Sequence, residues 1–458
     1  MERLALQKLI AWNIKPNRKP LIIWGARQVG KTYLVKELFA EKYYKNSYIY
    51  IDLKKEDEVR NFCESTANAE KIIEYLSLRF SKPIDESTLL IFDEIQECPN
   101  IISSLKYFCQ DFRKIRVIAT GSMVRIKLHR ESRKQNAEKT AKDQFLFPVG
   151  KIDQITIYPM TFGEFLLNNN SLLYSKVRES YDSKQALPTE IHNLALNEVY
   201  KYLLIGGMPE AVEAYIERKD LLETREILRS LYDNYLADME LYQASSESIL
   251  RSRLLFENIF RELNKESKNF SAGLIKKDGR TRDFATSIQW LLMTHIVNQS
   301  FQLKEHITMP LMQENESNFR LFLCDIGMFS YQSGVNAASF ISNERDNTLS
   351  GIFFENYVAN ELSANGLKLF YWRGKSDSEL EFIVESNNKL FPIDVKKGRG
   401  TLNSLNKFAT HNKFEFAIKV SKNNYGYDAN QKIATMPFYF MPFVAGDLAA
   451  GTLEIQCK

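Results

Sequence analysis

The chain reads as an α/β protein built on a P-loop NTPase core with a parallel sheet. A helical lid, a winged-helix-like domain and a further α/β domain are expected to follow it. Three observations predict this. The apolar run Leu21–Trp24 enters Gly25-Ala26-Arg27-Gln28-Val29-Gly30-Lys31-Thr32, which fills G-x-x-x-x-G-K-[ST] without a gap. A second apolar run, Leu89–Phe92, ends in Asp93-Glu94. A third region, from about residue 345, repeats helix, strand and hairpin signals on its own.

At 458 residues the chain is long enough for two to four domains. Met1–Asn13 carries Glu2, Arg3 and Lys8 among apolar residues, which predicts an amphipathic helix and not a signal peptide. The glycines of the loop let the backbone turn so that N–H groups face a phosphate. Lys31 can reach the β- and γ-phosphates, and the Thr32 hydroxyl can ligate Mg²⁺. Tyr33 opens a helix whose Leu34, Val35, Leu38 and Phe39 share one face. Ala26 to Tyr33, with Gly25, are the expected ATP contacts.

Ser47–Leu53 is a strand rich in aromatic and β-branched residues. Leu89–Phe92 carries Asp93 to the sheet edge, where it can hold Mg²⁺, and Glu94 can polarise the attacking water. Arg116–Thr120 is the next strand. Thr120 or Ser122 beyond it can contact the γ-phosphate or the water, or cap a helix. Residues 125–142 are dense in Lys and Arg. They fit a solvated loop, a nucleic-acid contact or an arginine finger for a neighbouring subunit.

Thr161 and Glu164 stand at capping-box spacing and start a helical region that runs to about residue 245. Gly206-Gly207-Met208-Pro209 breaks it. Helices at Ile249–Glu262 and Arg282–Met293 flank a turn holding Lys276, Lys277, Arg280 and Arg282. Strand-like runs near Ile296–Leu303 follow, which is the order of a winged helix. In the last region, alternation places Glu381 on one face of its strand and Asp394 with Lys396 on one face of another. A turn at Ser386–Asn388 can pair these strands, with Glu355 presented from a helix. Carboxylates around a divalent ion with a nearby lysine suit phosphodiester hydrolysis. A solvated face with a surface ion pair uses the same residues.

These motifs, together with Tyr158-Pro-Met-Thr-Phe162 and Phe354-Glu-Asn-Tyr357, resemble a family of prokaryotic P-loop ATPases related to AAA+ proteins. The C-terminal segment is similar to the PD-(D/E)xK nuclease fold. The resemblance implies Mg-ATP at Lys31 and Thr32, metal at Asp93, water at Glu94, and a nuclease-like site of Glu355, Glu381, Asp394 and Lys396 with metal at the three carboxylates. Family members usually carry aspartate at 381 and glutamate at 394, and arginine where this chain has Lys151. The expected domains are 1–165, 166–245, 246–340 and 341–458.

The reading is thus an ATPase whose nucleotide state repositions DNA- or protein-binding modules. An ATP-controlled DNA endonuclease and a non-hydrolysing switch that recruits a protein are the alternatives. A homo-oligomer or protein partner fits, DNA is a candidate ligand, and no stretch approaches a membrane span. The five cysteines form no zinc or C-x-x-C spacing, which fits a cytoplasmic protein.

Overall fold

The computed structural model describes residues 1–121, 147–243, 245–335, 350–374, 378–396 and 403–455. Ser122 and the basic stretch 125–142 lie outside them. The chain divides into two compact units, Glu2–Tyr158 and Pro159–Lys458, with Met1 grouped with the second.

The first unit holds five parallel strands: β1 (Leu21–Trp24), β2 (Tyr48–Asp52), β3 (Leu89–Asp93), β4 (Arg116–Thr120) and β5 (Asp153–Thr156). Their order is β2-β3-β4-β1-β5. Such sheets are covered on both faces, so their strands are apolar throughout and do not alternate. β1 and β3 show this. Ile22, Trp24, Leu90 and Phe92 join one core with Val59, Ile72, Leu105 and Phe108. Leu21, Ile23, Leu89 and Ile91, on the opposite face, are equally buried. β2 sits at the sheet edge and does alternate. The helix after the loop runs through Lys31–Tyr33, Leu34–Ala40 and Glu41–Tyr43, and its middle section is wound more widely.

The second unit opens with the helix Phe162–Asn169. Thr161 and Glu164 cap it reciprocally: Oγ1 of Thr161 accepts from Glu164 N at 3.2 Å, and Oε2 of Glu164 accepts from Thr161 N at 3.1 Å. Helices Ser171–Ser183, Thr189–Ile205, Pro209–Arg218 and Leu221–Tyr242 follow, with the expected break at Gly206–Met208. Helices Ser246–Glu257, Ile259–Leu263, Ala272–Ile275 and Ala285–Met293 precede the antiparallel pair β6 (Val297–Leu303) and β7 (Phe319–Leu323). β6 also pairs in parallel with β8 (Leu369–Arg373), so this hairpin is part of a larger sheet. That sheet has the order β7-β6-β8-β9, with β9 at Glu379–Leu380.

The second C-terminal sheet holds β10 (Phe382–Ser386), β11 (Lys389–Lys396), β12 (Ala417–Ser421), β13 (Gly426–Asp428) and β14 (Ile433–Pro437), in the order β10-β11-β12-β14-β13. The β10–β11 turn is the expected one. Asn387 (φ 47°) and Asn388 (φ 58°) both take the left-handed conformation that a two-residue hairpin loop requires, and asparagine tolerates it. One expectation changes. Glu379–Val384 is not a single strand. It breaks at Glu381, where the chain leaves one sheet for the other, a place where strands commonly bend.

The motif Phe354–Tyr357 lies on the helix Ser350–Ala364 and locks it to its surroundings. Phe354 stacks on Phe438, with ring centroids 3.7 Å apart. Asn356 completes the edge of β7, exchanging bonds of 3.0 Å with the backbone N–H and C=O of Leu323. The Tyr357 hydroxyl donates to Phe438 O at 3.0 Å.

Candidate functional site

The parallel sheet presents the C-terminal ends of β1, β3 and β4 side by side, the edge at which open α/β sheets bind ligands. Gly25–Gly30 leave β1 there. Gly30 has φ 84°, a conformation that costs a glycine nothing, and it directly precedes the helix. Gln28 also takes a positive φ, 62°, where a side chain is normally disfavoured. Ala26 and Val29 are buried, Arg27 and Gly30 half-buried, and Gln28, Thr32 and Tyr33 exposed.

Asp93 is the centre of the site. It is buried, and its two oxygens take four donors. Oδ2 accepts from the hydroxyls of Thr32 at 2.7 Å and Tyr50 at 2.8 Å. Oδ1 accepts from the Glu94 N–H at 3.0 Å and from the Thr120 hydroxyl. A hydroxyl beside a carboxylate is an oxygen donor set of the kind hard divalent cations take, so Thr32 and Asp93 fit Mg²⁺. Lys31 Nζ donates to Gly25 O at 3.0 Å and Ala26 O at 2.8 Å. Burial lowers its pKa to about 8, against the opposing pull of Glu94 and Asp93.

Glu94 sits at φ 56°, which turns its side chain out of the strand direction immediately after Asp93. Gln96 Nε2 donates to its Oε2. Thr120 is fully buried and its hydroxyl donates to Asp93. The physical reason is the strand order: β4 lies between β1 and β3, so its last side chain meets the end of β3. Gly121 is small for a separate reason. A Cβ there would lie 2.6 Å from Gln96 Oε1 and 2.8 Å from Ile95 Cγ1.

Sequence reasoning missed Tyr50 and Gln96. Tyr50 could have been found, because alternation along β2 points Tyr48, Tyr50 and Asp52 to one face and β2 neighbours β3. Burial and then the Asp93 charge push the Tyr50 phenol well above its usual pKa, so it remains a donor. The motif Asp93–Gln96 contained Gln96, but nothing in its spacing assigned it to Glu94.

In the second unit, Glu355, Glu381, Asp394 and Lys396 do come together, and not on a solvated face. Their relative exposures are 5% for Glu355, 7% for Glu381 and 3% for Asp394. Lys396 Nζ lies 2.8 Å from Asp394 Oδ1 and 3.4 Å from Glu381 Oε1. Glu381 Oε2 accepts from Val395 N at 3.0 Å. Three side chains absent from the expected set complete the cluster. Lys268 Nζ is 2.5 Å from Glu355 Oε1 and 3.8 Å from Glu379 Oε1. Arg320 Nη2 is 2.5 Å from Glu379 Oε2, and its guanidinium lies 3.9 Å over the Tyr371 ring. Burial, and next the Glu381 charge, raise the Asp394 carboxyl. Burial also raises Glu355, against the pull of Lys268.

Each of Glu355, Glu381 and Asp394 is paired with a lysine. Among the described residues no group of three or more His, Cys, Asp or Glu is arranged to hold an ion. The ammonium groups of Lys268 and Lys396 meet the charge that a metal would.

Three segments of the chain match known family models. Residues 17–166 match the family model of the AAA domain. The loop, Asp93 and the parallel sheet agree with this match, and the first unit has the fold of a P-loop NTPase core. Residues 196–339 and 350–440 match two domains of unknown function, DUF8612 and DUF4143. No curated protein matches the chain. Among solved structures, AMPPCP-bound DnaA from Aquifex aeolicus is 14% identical, with a TM-score of 0.26 over 63% of this chain and 85% of that one. Replication initiator DnaA bound to AMPPCP and single-stranded DNA is 13% identical, with a TM-score of 0.24 over the same shares. At these scores the likeness bears on neither function nor assembly. Among the described residues no helix is long and apolar enough to cross a membrane.

Proposed function

We propose that the protein is an AAA+-like ATPase that binds Mg-ATP at the first unit and hydrolyses it. The observation that carries this is the pairing of the Thr32 hydroxyl with Asp93 Oδ2 at 2.7 Å, with Glu94 held beside it by Gln96. Thr32 and Asp93 would hold Mg²⁺, whose charge offsets that of the phosphates. Lys31 turns from its loop carbonyls to the phosphates, Gly25–Tyr33 enclose the nucleotide, and Glu94 orients and deprotonates the attacking water. Tyr50 and Thr120 keep Asp93 aimed.

On this reading the nucleotide state repositions the C-terminal modules, divided as helical lid, winged-helix-like and nuclease-like parts. The exposed Lys276, Lys277, Arg280 and Arg282 offer a surface for a DNA backbone, whose signature is binding that falls steeply with salt. The alternative of an active endonuclease is disfavoured by the internal neutralisation of Glu355 by Lys268.

Glu94→Gln tests the proposal. Turnover should fall by about 10²–10⁴-fold while nucleotide affinity is kept, because only the base is lost. Phosphate release and equilibrium binding of a fluorescent nucleotide report the two quantities. A Glu94→Gln protein that hydrolyses ATP at the parent rate removes Glu94 from the mechanism.

A further inference from the structure

We infer that Arg3, outside every recognisable motif, is a positioning residue that sets the phosphate-binding loop; this rests on the nucleotide-binding reading above. Arg3 is 6% exposed. Its guanidinium donates to two main-chain carbonyls: Nη1 to Val29 O at 2.8 Å and Nη2 to Tyr158 O at 2.9 Å. Val29 lies inside the loop, between Gln28 and Gly30. Tyr158 follows β5 at the far end of this unit's sequence.

The consequence follows from the planarity of the peptide bond. In a trans peptide the C=O of one residue and the N–H of the next point in opposite directions, and the plane turns as one piece. Holding Val29 O therefore fixes the Gly30 N–H on the other side of the same plane. Gly30 needs this help most. It is conformationally the freest residue type, it sits at φ 84°, and Gln28, on the other side of Val29, is held at a disfavoured positive φ. Unbraced, the 29–30 peptide could turn and point a carbonyl where a phosphate oxygen needs a donor.

A cationic donor suits the task. Charge-assisted hydrogen bonds are about twice as strong as neutral ones, and the rigid fork of arginine can serve two acceptors at once. The second bond ties the loop to Tyr158 O. The neighbouring residue Ile157 already donates to Trp24 O at 2.8 Å, so the Tyr158 end of Arg3's grip rests beside the β1–β5 pair. Arg3 also precedes the helix Leu6–Ile14, whose Leu9 and Trp12 are buried in this unit, so the backbone that carries it is anchored. Nothing in this touches the reacting atoms. Arg3 acts through the loop.

The test is equilibrium binding of the fluorescent nucleotide mant-ADP with Mg²⁺, read beside the melting temperature. In the full chain Arg3→Ala should weaken binding by about tenfold or more, the scale of one charged hydrogen bond. Arg3→Lys, which keeps the charge but loses the fork, should recover part of the loss. Lys15→Ala is the control: it removes the 3.0 Å surface pair with Asp153 on the same β5 edge, leaves the loop alone, and should bind as the parent does. If Arg3→Ala, or Arg3→Lys where the alanine variant does not fold, loses melting temperature yet binds mant-ADP with the parent's affinity, Arg3 is structural only and the inference fails. If the parent itself binds no nucleotide, the reading beneath it fails first.

Discussion

The two units treat buried charge in opposite ways. In the first, Asp93 is surrounded by four hydrogen-bond donors, none of them a cation. The carboxylate is oriented but its charge is not cancelled, so a cation still gains by approaching it. Lys31 is likewise held by carbonyls and not by a carboxylate. In the second, Glu355, Glu379, Glu381 and Asp394 each face an ammonium or guanidinium within 4.0 Å. Neutral donors leave the charge of Asp93 in place, whereas cationic partners offset the charges of the second cluster. The lesson is that convergence of carboxylates does not define a metal site until the identity of their partners is known.

Lys268→Ala strains this comparison most. Removing one partner of a buried pair leaves Glu355 uncompensated, so stability should fall by about 3–5 kcal/mol. Urea unfolding of the second unit reads the loss, and nucleotide binding by the first should survive. A neutral or stabilising Lys268→Ala would mean that the cluster is not closed by its own cations.

A pH titration sharpens the contrast inside the second unit. Glu361 is 1% exposed, its Oε1 accepts from Phe162 N at 2.7 Å, and burial pushes its pKa from 4.5 up to about 8. The folded state thus holds a proton that the unfolded chain has released. The stability this provides is fully present below pH 4.5 and is lost as pH rises towards 8, with a slope of about 1.4 kcal/mol per pH unit at most. Glu361→Gln keeps the acceptor and should flatten the profile. Urea midpoints that fall equally in parent and variant would assign the slope to other groups.

Tyr50→Phe is the mildest perturbation. It deletes one donor to Asp93 and leaves Thr32, Thr120 and the Glu94 N–H in place. Loss of an outer hydrogen bond to a metal ligand commonly costs 10–100-fold in metal affinity, and about tenfold is expected here. The Mg²⁺ concentration needed for half-maximal nucleotide binding is the measurement. An unchanged midpoint would show that Tyr50 only packs.

What was legible in the chain was whatever depends on near neighbours in sequence. Gly25–Thr32 carries its conformation in its spacing, because one strand, one turn and one helix start assemble it locally. Thr161 with Glu164, and Asn387-Asn388, are local in the same sense. Asp93 was legible because an apolar run ending in acid must bring that acid to the edge of the sheet.

By itself, then, the sequence determined the nucleotide-binding loop, the apolar strands beside it, the capped helix and the C-terminal hairpin. Tertiary structure decided which distant groups complete each site. Strand order placed Thr120 and Tyr50 on Asp93 from either side of β3. The switch between sheets turned Glu381 towards Lys396. Lys268, 87 residues before Glu355, supplied a counter-ion that no spacing rule could assign. The physical reason is range. Turns, caps and hydrophobic periodicity are set over a few residues, whereas the partner of a buried charge is set by whichever segment the fold packs against it.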